Sequence, residues 1–157
     1  MISVGEQINT NFTVKAVHEG QEQEVLFSEL LTNPTIVSVY MKNNTGSCDK
    51  QTASLAEHAS WFADQGYDLM ALSKDTCGSH KKYADKQGIS FTLLSDPDHA
   101  FAKATQSIVE KKMYRKVYEA PSRSAFVIDT DGTILAVIEK VNTKAHAEEL
   151  KDLVENL

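Results

Sequence analysis

The chain has 157 residues, 41% hydrophobic and 24% charged, a balance that suits one folded domain over 1–157 and excludes a disordered chain. A formal net charge of −6 and a pI near 5.3 exclude the basic footprint of a nucleic-acid-binding surface. No apolar run approaches the roughly 18 residues that span a bilayer, and Met1 to Asn11 lacks the basic stretch and apolar segment of a signal peptide, so the expected location is the cytoplasm, away from membranes.

Phe12 to Val17 and Glu24 to Phe27 read as a short hairpin around His18-Glu19-Gly20. Ser28 to Leu31 suits one helical turn, ended before Pro34. Thr35 to Met41 (TIVSVYM) is an apolar run rich in β-branched residues, the pattern of a buried central strand. From Cys48 to Gln65 the period changes to that of a helix, with Leu55, Ala59, Phe62 and Ala63 on one face and Gly66 as a stop. Tyr67 to Leu72 is a second buried strand, Ser79 to Gln87 a helix ending at Gly88, and Phe91 to Leu94 a third strand. Pro97 suits a first helical turn capped by Ser95 or Asp96, and that helix is expected to end near Gln106. The densest basic group, Lys111, Lys112, Arg115 and Lys116, reads as a solvated helix or loop face. Ala125 to Asp129 and Ile134 to Glu139 flank Asp131-Gly132, a strong hairpin signal. Lys144 to Asn156 closes the chain as a helix with Ala147, Leu150, Leu153 and Val154 inward. Strand–helix alternation followed by a hairpin and a last helix gives an α/β sandwich.

Two cysteines are too few for a disulfide framework, and in a reducing compartment such a pair is more often reactive than structural. Cys48 follows the Thr35 strand by a short polar loop and begins a helix. Open α/β sheets place their chemistry beyond the carboxyl ends of strands, and a helix N-terminus offers free N–H groups and partial positive charge. Both favour a thiolate over a thiol. The competing assignment is a small buried filler residue. Thr45, three residues earlier, carries a hydroxyl able to donate to that sulfur or to serve as a helix cap.

The stretch Tyr40 to Cys48 (YMKNNTGSC) resembles the P-x-x-x-T-x-x-C loop of peroxiredoxins. Leu72 to Ala104, Glu110 to Tyr118 (EKKMYRKVY) and Ser122 to Ile134 (SRSAFVIDTDGTI) resemble, in the same order, segments of the bacterioferritin comigratory protein branch, also called PrxQ. The resemblance covers nearly the whole chain. It implies a thioredoxin-like sandwich, with a central mixed β-sheet and flanking helices, and a thiol peroxidase acting on hydrogen peroxide and organic hydroperoxides. Cys48 matches the peroxidatic cysteine, Thr45 the threonine that bonds thiolate and peroxide, and Arg123 the arginine that holds the substrate oxygens. Gln51 falls where the branch often has Glu, one turn into the helix, where it can orient Arg123 or simply face solvent. The family's loop proline is Met41 here, which puts the peroxidatic rate and substrate range in question more than the reaction type. No metal, haem or flavin is implied, and the implied reductant is thioredoxin or a similar dithiol. The branch suggests a monomer or weak homodimer.

The resolving cysteine that many members carry five residues after the first is replaced by Ala53. Cys77 is the only other thiol, just past the strand ending at Leu72. If the two strands are parallel neighbours, their ends lie about 5 Å apart. A modest rearrangement can then bring the Cα atoms within the roughly 4.4–6.8 Å that a disulfide needs. Cys77 is therefore expected to resolve the oxidised Cys48. A one-cysteine enzyme resolved by an external thiol, and an intermolecular disulfide, stay open. A zinc site from Cys48, Cys77, His58 and His80 lacks ligand-pair spacing, a dithiol oxidoreductase lacks Cys-x-x-Cys, and a noncatalytic thioredoxin-like binding module is the non-enzyme rival. His80 reads as a polar helix residue, and His58, His99 and His146 as helix surface.

Overall fold

The computed structural model describes residues 1–157. Strands β1 (Thr13–His18) and β2 (Gln21–Leu26) form the first hairpin, and α1 (Phe27–Leu30) follows. Then come β3 (Thr35–Val39), α2 (Gly46–Asp64), β4 (Asp68–Ser73), α3 (Cys77–Gln87), β5 (Thr92–Ser95) and α4 (Ala100–Ala104). The chain ends with β6 (Ile108–Met113), β7 (Lys116–Pro121), β8 (Ala125–Ile128), β9 (Ile134–Ile138) and α5 (His146–Glu155). Seven strands make one mixed sheet in the order β2-β1-β5-β4-β3-β8-β9. β3, β4 and β5 run parallel, and the outer strands pair antiparallel. This is the expected α/β sandwich, and β3 and β4 are the predicted parallel neighbours.

Alternating residues of the central strands build both cores, as a pleated strand must. Ile36, Leu69, Ala71, Ala125 and Val127 join Leu55, Phe62, Tyr83, Leu150 and Val154 of α2, α3 and α5. Val37, Met70, Leu72, Phe126 and Ile128 point the other way, toward Phe27 and Phe101 of α1 and α4. Cys48 belongs to the first of these cores, so the helices that cover that face also seat the thiol.

Two departures matter. The basic stretch expected as a helix or loop face is a separate antiparallel hairpin, β6–β7, turning at Tyr114 and Arg115 with φ of 51° and 68°. A two-residue turn of that kind usually carries Asn or Gly, which is why it went unseen. The helix expected from Pro97 starts only at Ala100; Asp96 does cap it, with Oδ1 accepting from Ala100 N and Oδ2 from Phe101 N, both at 2.9 Å.

Candidate active site

The carboxyl end of β3 delivers the chain into a loop that α2 closes. Tyr40 N–H still pairs with Leu72 O at 3.0 Å, so the sheet geometry extends one residue past β3. Thr45 ends the loop in extended conformation, and Cys48 lies in the first turn of α2. Its side chain is 1% exposed, with the Met41 backbone N–H donating to Sγ at 3.4 Å. That donor stands where the family's proline has none.

The Thr45 hydroxyl departs from expectation. It donates to Lys42 O at 2.8 Å on the exposed side of the loop, with no bond to the sulfur. A threonine hydroxyl rotates to the nearest acceptor, and here the loop's own carbonyl is that acceptor.

Gln51 is fully buried rather than solvated. Its Oε1 accepts from Arg123 Nη1 at 3.1 Å, and its Nε2 donates to Ser38 Oγ at 2.7 Å and Val39 O at 3.2 Å. Arg123 stands just before β8, whose pairing with β3, extended by Val39 N–H donating to Ser124 O at 2.8 Å, brings it beside the end of β3. Gln51 thus ties the arginine to the helix that carries Cys48.

Beneath the loop is a polar network that the sequence reading missed. Tyr40 OH donates to Asn43 Oδ1 at 2.6 Å, and Asn43 Nδ2 reaches Ser79 Oγ at 3.1 Å and His80 Nδ1 at 3.2 Å. The carbonyl of Leu94 can only accept, so His80 Nε2, at 3.1 Å, carries the proton and Nδ1 is the acceptor. Burial pushes His80 below the usual histidine range and Tyr40 well above the usual tyrosine range, so both stay neutral. Tyr83, also raised by burial, bonds Asp49 Oδ1 at 2.7 Å and Thr52 Oγ1 at 2.6 Å in the first turns of α2. His80 is thus the expected polar helix residue, held as a buried strut with both ring nitrogens engaged. His146 is likewise fully buried, while His99 precedes α4 in left-handed conformation (φ 57°). The signal for His80 was its spacing: Cys77, His80 and Tyr83 share the buried face of α3.

Cys77 opens α3 behind the Thr76 cap, whose hydroxyl accepts from Ser79 N at 3.2 Å. It is a buried free thiol, as is Cys48. Burial first, then the Glu22 carboxylate, push the Cys77 thiol up, with Lys15 and Lys81 opposing weakly. Cys77 lines a groove with Lys15, Glu22 and Glu24 of the β1–β2 hairpin, whereas Cys48 lies near Tyr40 and Tyr83. The parallel neighbours β3 and β4 are as expected, and both thiols belong to the same buried core, but Cys77 also faces the β1–β2 hairpin.

A loop at the end of a parallel strand thus leads into a helix whose first turn holds Cys48 and whose next turn, through Gln51, tethers Arg123. The AhpC/TSA family model matches residues 4–137, and the chain belongs to that family. Within it the relatives point to the peroxiredoxin Bcp/PrxQ branch. The chain is 30% identical over 113 residues to the peroxiredoxin Bcp of Xanthomonas campestris pv. campestris, covering 72% of this chain and 71% of that one. It is 29% identical over 124 residues to the peroxiredoxin Bcp of Escherichia coli, covering 79% and 80%. The solved bacterioferritin comigratory protein of Xanthomonas campestris, studied for its alkyl peroxide reduction activity, shares the fold at TM-score 0.87 and 22% identity, over 98% of both chains.

Proposed function

We propose that the chain is a thiol peroxidase in which Cys48 reduces hydrogen peroxide and organic hydroperoxides. The observation that carries this is the placement of Cys48 in the first turn of α2, one helical turn before the glutamine that holds Arg123. The Cys48 thiolate attacks one peroxide oxygen along the O–O axis. The O–O bond breaks, the other oxygen leaves as hydroxide or alkoxide and is protonated to water or alcohol, and sulfur is oxidised by two electrons to sulfenic acid. The helix N–H groups, the Met41 N–H and Arg123 stabilise the negative charge as it moves. Thr45 serves once its hydroxyl turns inward from Lys42 O. Because the thiol is 1% exposed, the loop must open slightly to admit peroxide. Sulfur carries the two electrons itself, so the step needs no metal, haem or flavin.

Cys77 then condenses with the sulfenic acid, forming an S–S bond and releasing water, after the first turn of α2 unwinds. Thioredoxin or a similar dithiol reduces that bond by exchange. In this reading the protein works in the cytoplasm as a monomer or weak homodimer; no helix is long and apolar enough to cross a membrane. The different surroundings of Cys77 favour a second reading, a one-cysteine enzyme resolved by an external thiol. Intact mass after one equivalent of hydrogen peroxide decides. A monomer lighter by two hydrogens is the expected result, and a gain of one oxygen supports the one-cysteine reading. No change, with peroxide left unconsumed, overturns both and leaves a noncatalytic module.

A further inference from the structure

Gln51 is one link in a longer chain of hydrogen bonds. Ser38 Oγ lies 2.8 Å from His146 Nε2, and His146 Nδ1 lies 2.8 Å from Glu149 Oε1. Ser38, Gln51 and His146 are all completely buried. Glu149 also accepts from the Asn142 backbone N–H at 3.1 and 3.2 Å.

The proton positions follow from groups with only one possible role. Glu149 as a carboxylate only accepts, so His146 Nδ1 carries a proton. Arg123 only donates, so Gln51 must present Oε1 to it and Nε2 to Ser38. Ser38 therefore accepts from Gln51 and has its own proton to place, and His146 Nε2, its other partner, takes it. Every donor points the same way, from the Arg123 guanidinium to the Glu149 carboxylate. A chain of this kind polarises its members in sequence.

We propose that Ser38, His146 and Glu149 are positioning residues that act through Gln51 to hold Arg123 at the peroxide site. This rests on the peroxidase reading above. Without an acceptor at position 146, the Ser38 hydroxyl is left to donate toward Gln51. That pulls against the amide orientation, which Val39 O is then left to hold with Arg123, and each flipped amide sets an NH₂ group against the guanidinium and releases Arg123. A carboxylate at position 51 accepts at either oxygen and would need no such control; a glutamine there does.

The test compares His146→Leu, which removes the acceptor, with His146→Gln, whose amide oxygen can take the Ser38 proton while its nitrogen donates to Glu149. Two readouts are taken on the full chain: kcat/KM for hydrogen peroxide, and the pH dependence of iodoacetamide alkylation at Cys48, resolved from Cys77 by peptide mass. His146→Leu should lower kcat/KM about tenfold, the scale of one lost charge-assisted hydrogen bond, and require a higher pH for half-maximal alkylation. His146→Gln should recover most of both. If His146→Leu does not fold, Ser38→Ala replaces it, with Ser38→Thr as the hydroxyl-retaining partner. Equal behaviour of the Leu and Gln variants in both readouts, or a wild-type alkylation profile in His146→Leu, overturns the proposal. Absence of peroxide turnover in the wild type sinks the peroxidase reading instead, and the alkylation profile still reports on the relay.

Discussion

Cys48 and Cys77 each enter the first turn of a helix that follows one of two neighbouring parallel strands, and both are buried free thiols. Their backbone settings are nearly the same; the side chains around them are not. Cys48 meets a backbone N–H donor, with the Gln51–Arg123 pair one helical turn away, whereas Cys77 meets the Glu22 carboxylate. A helix N-terminus alone therefore does not give two thiols the same surroundings. The groups brought in from distant strands differ: the segment before β8 brings Arg123 to the helix that carries Cys48, and the β1–β2 hairpin brings Glu22 to Cys77.

The sharpest break in the comparison is Cys48→Ser. If only Cys48 is a peroxidatic thiol, this change removes turnover outright, a loss of roughly a thousandfold or more in the initial rate, because a serine hydroxyl stays protonated and cannot be oxidised in this way. Consumption of hydrogen peroxide by the variant at a tenth of the wild-type rate would move the chemistry to Cys77. Next in size is Cys77→Ser. It should keep one stoichiometric peroxide reduction and lose thioredoxin-linked cycling, followed as NADPH oxidation in a coupled assay. Full cycling in that variant would give resolution to an outside thiol.

The sheet was legible because its central strands are short apolar runs, and buried strands need little else to be recognised. TIVSVYM and YDLMAL mark β3 and β4, and Asp131-Gly132 marks the β8–β9 turn. The β6–β7 hairpin was not, because its strands are largely exposed and charged and its Tyr114-Arg115 turn lacks the usual residues. At the site, the position of Cys48 was readable from the motif, whereas the tie of Gln51 to Arg123 was one of two readings the motif left open. The buried polar groups were harder, since the alphabet of a polar core matches that of a surface. Their spacing held a clue: His146, Leu150 and Val154 recur every four residues on the buried face of α5, and Gln51 shares a face of α2 with Cys48 and Leu55. The direction of the Thr45 hydroxyl has no such signature, because an exposed side chain chooses among acceptors that only the folded loop sets out.

The finest distinction between the two thiols is electrostatic, and Glu22→Gln isolates it. Cys77 is raised chiefly by burial, then by its hydrogen bond to Glu22 and by that carboxylate's charge; the substitution removes the charge while leaving burial and an acceptor oxygen in place, so the effect should be a few-fold rather than an order of magnitude. Alkylation of Cys77 at pH 8 should speed up by about that factor, with Cys48 in the same sample unchanged. The sign for stability follows the same shift. A thiol raised on folding keeps its proton where the unfolded chain has lost it, so its contribution is full below the unfolded value and fades as pH rises through the folded one. The wild type should thus lose stability above about pH 8.5, and the variant should lose less of it, as read from urea midpoints across that range. If Cys77 also resolves Cys48, the variant should close the disulfide faster after a single peroxide addition, because the attacking sulfur reaches its anionic form more readily. Faster alkylation without faster closure would mean that movement of the two helices, and not the acidity of Cys77, limits resolution.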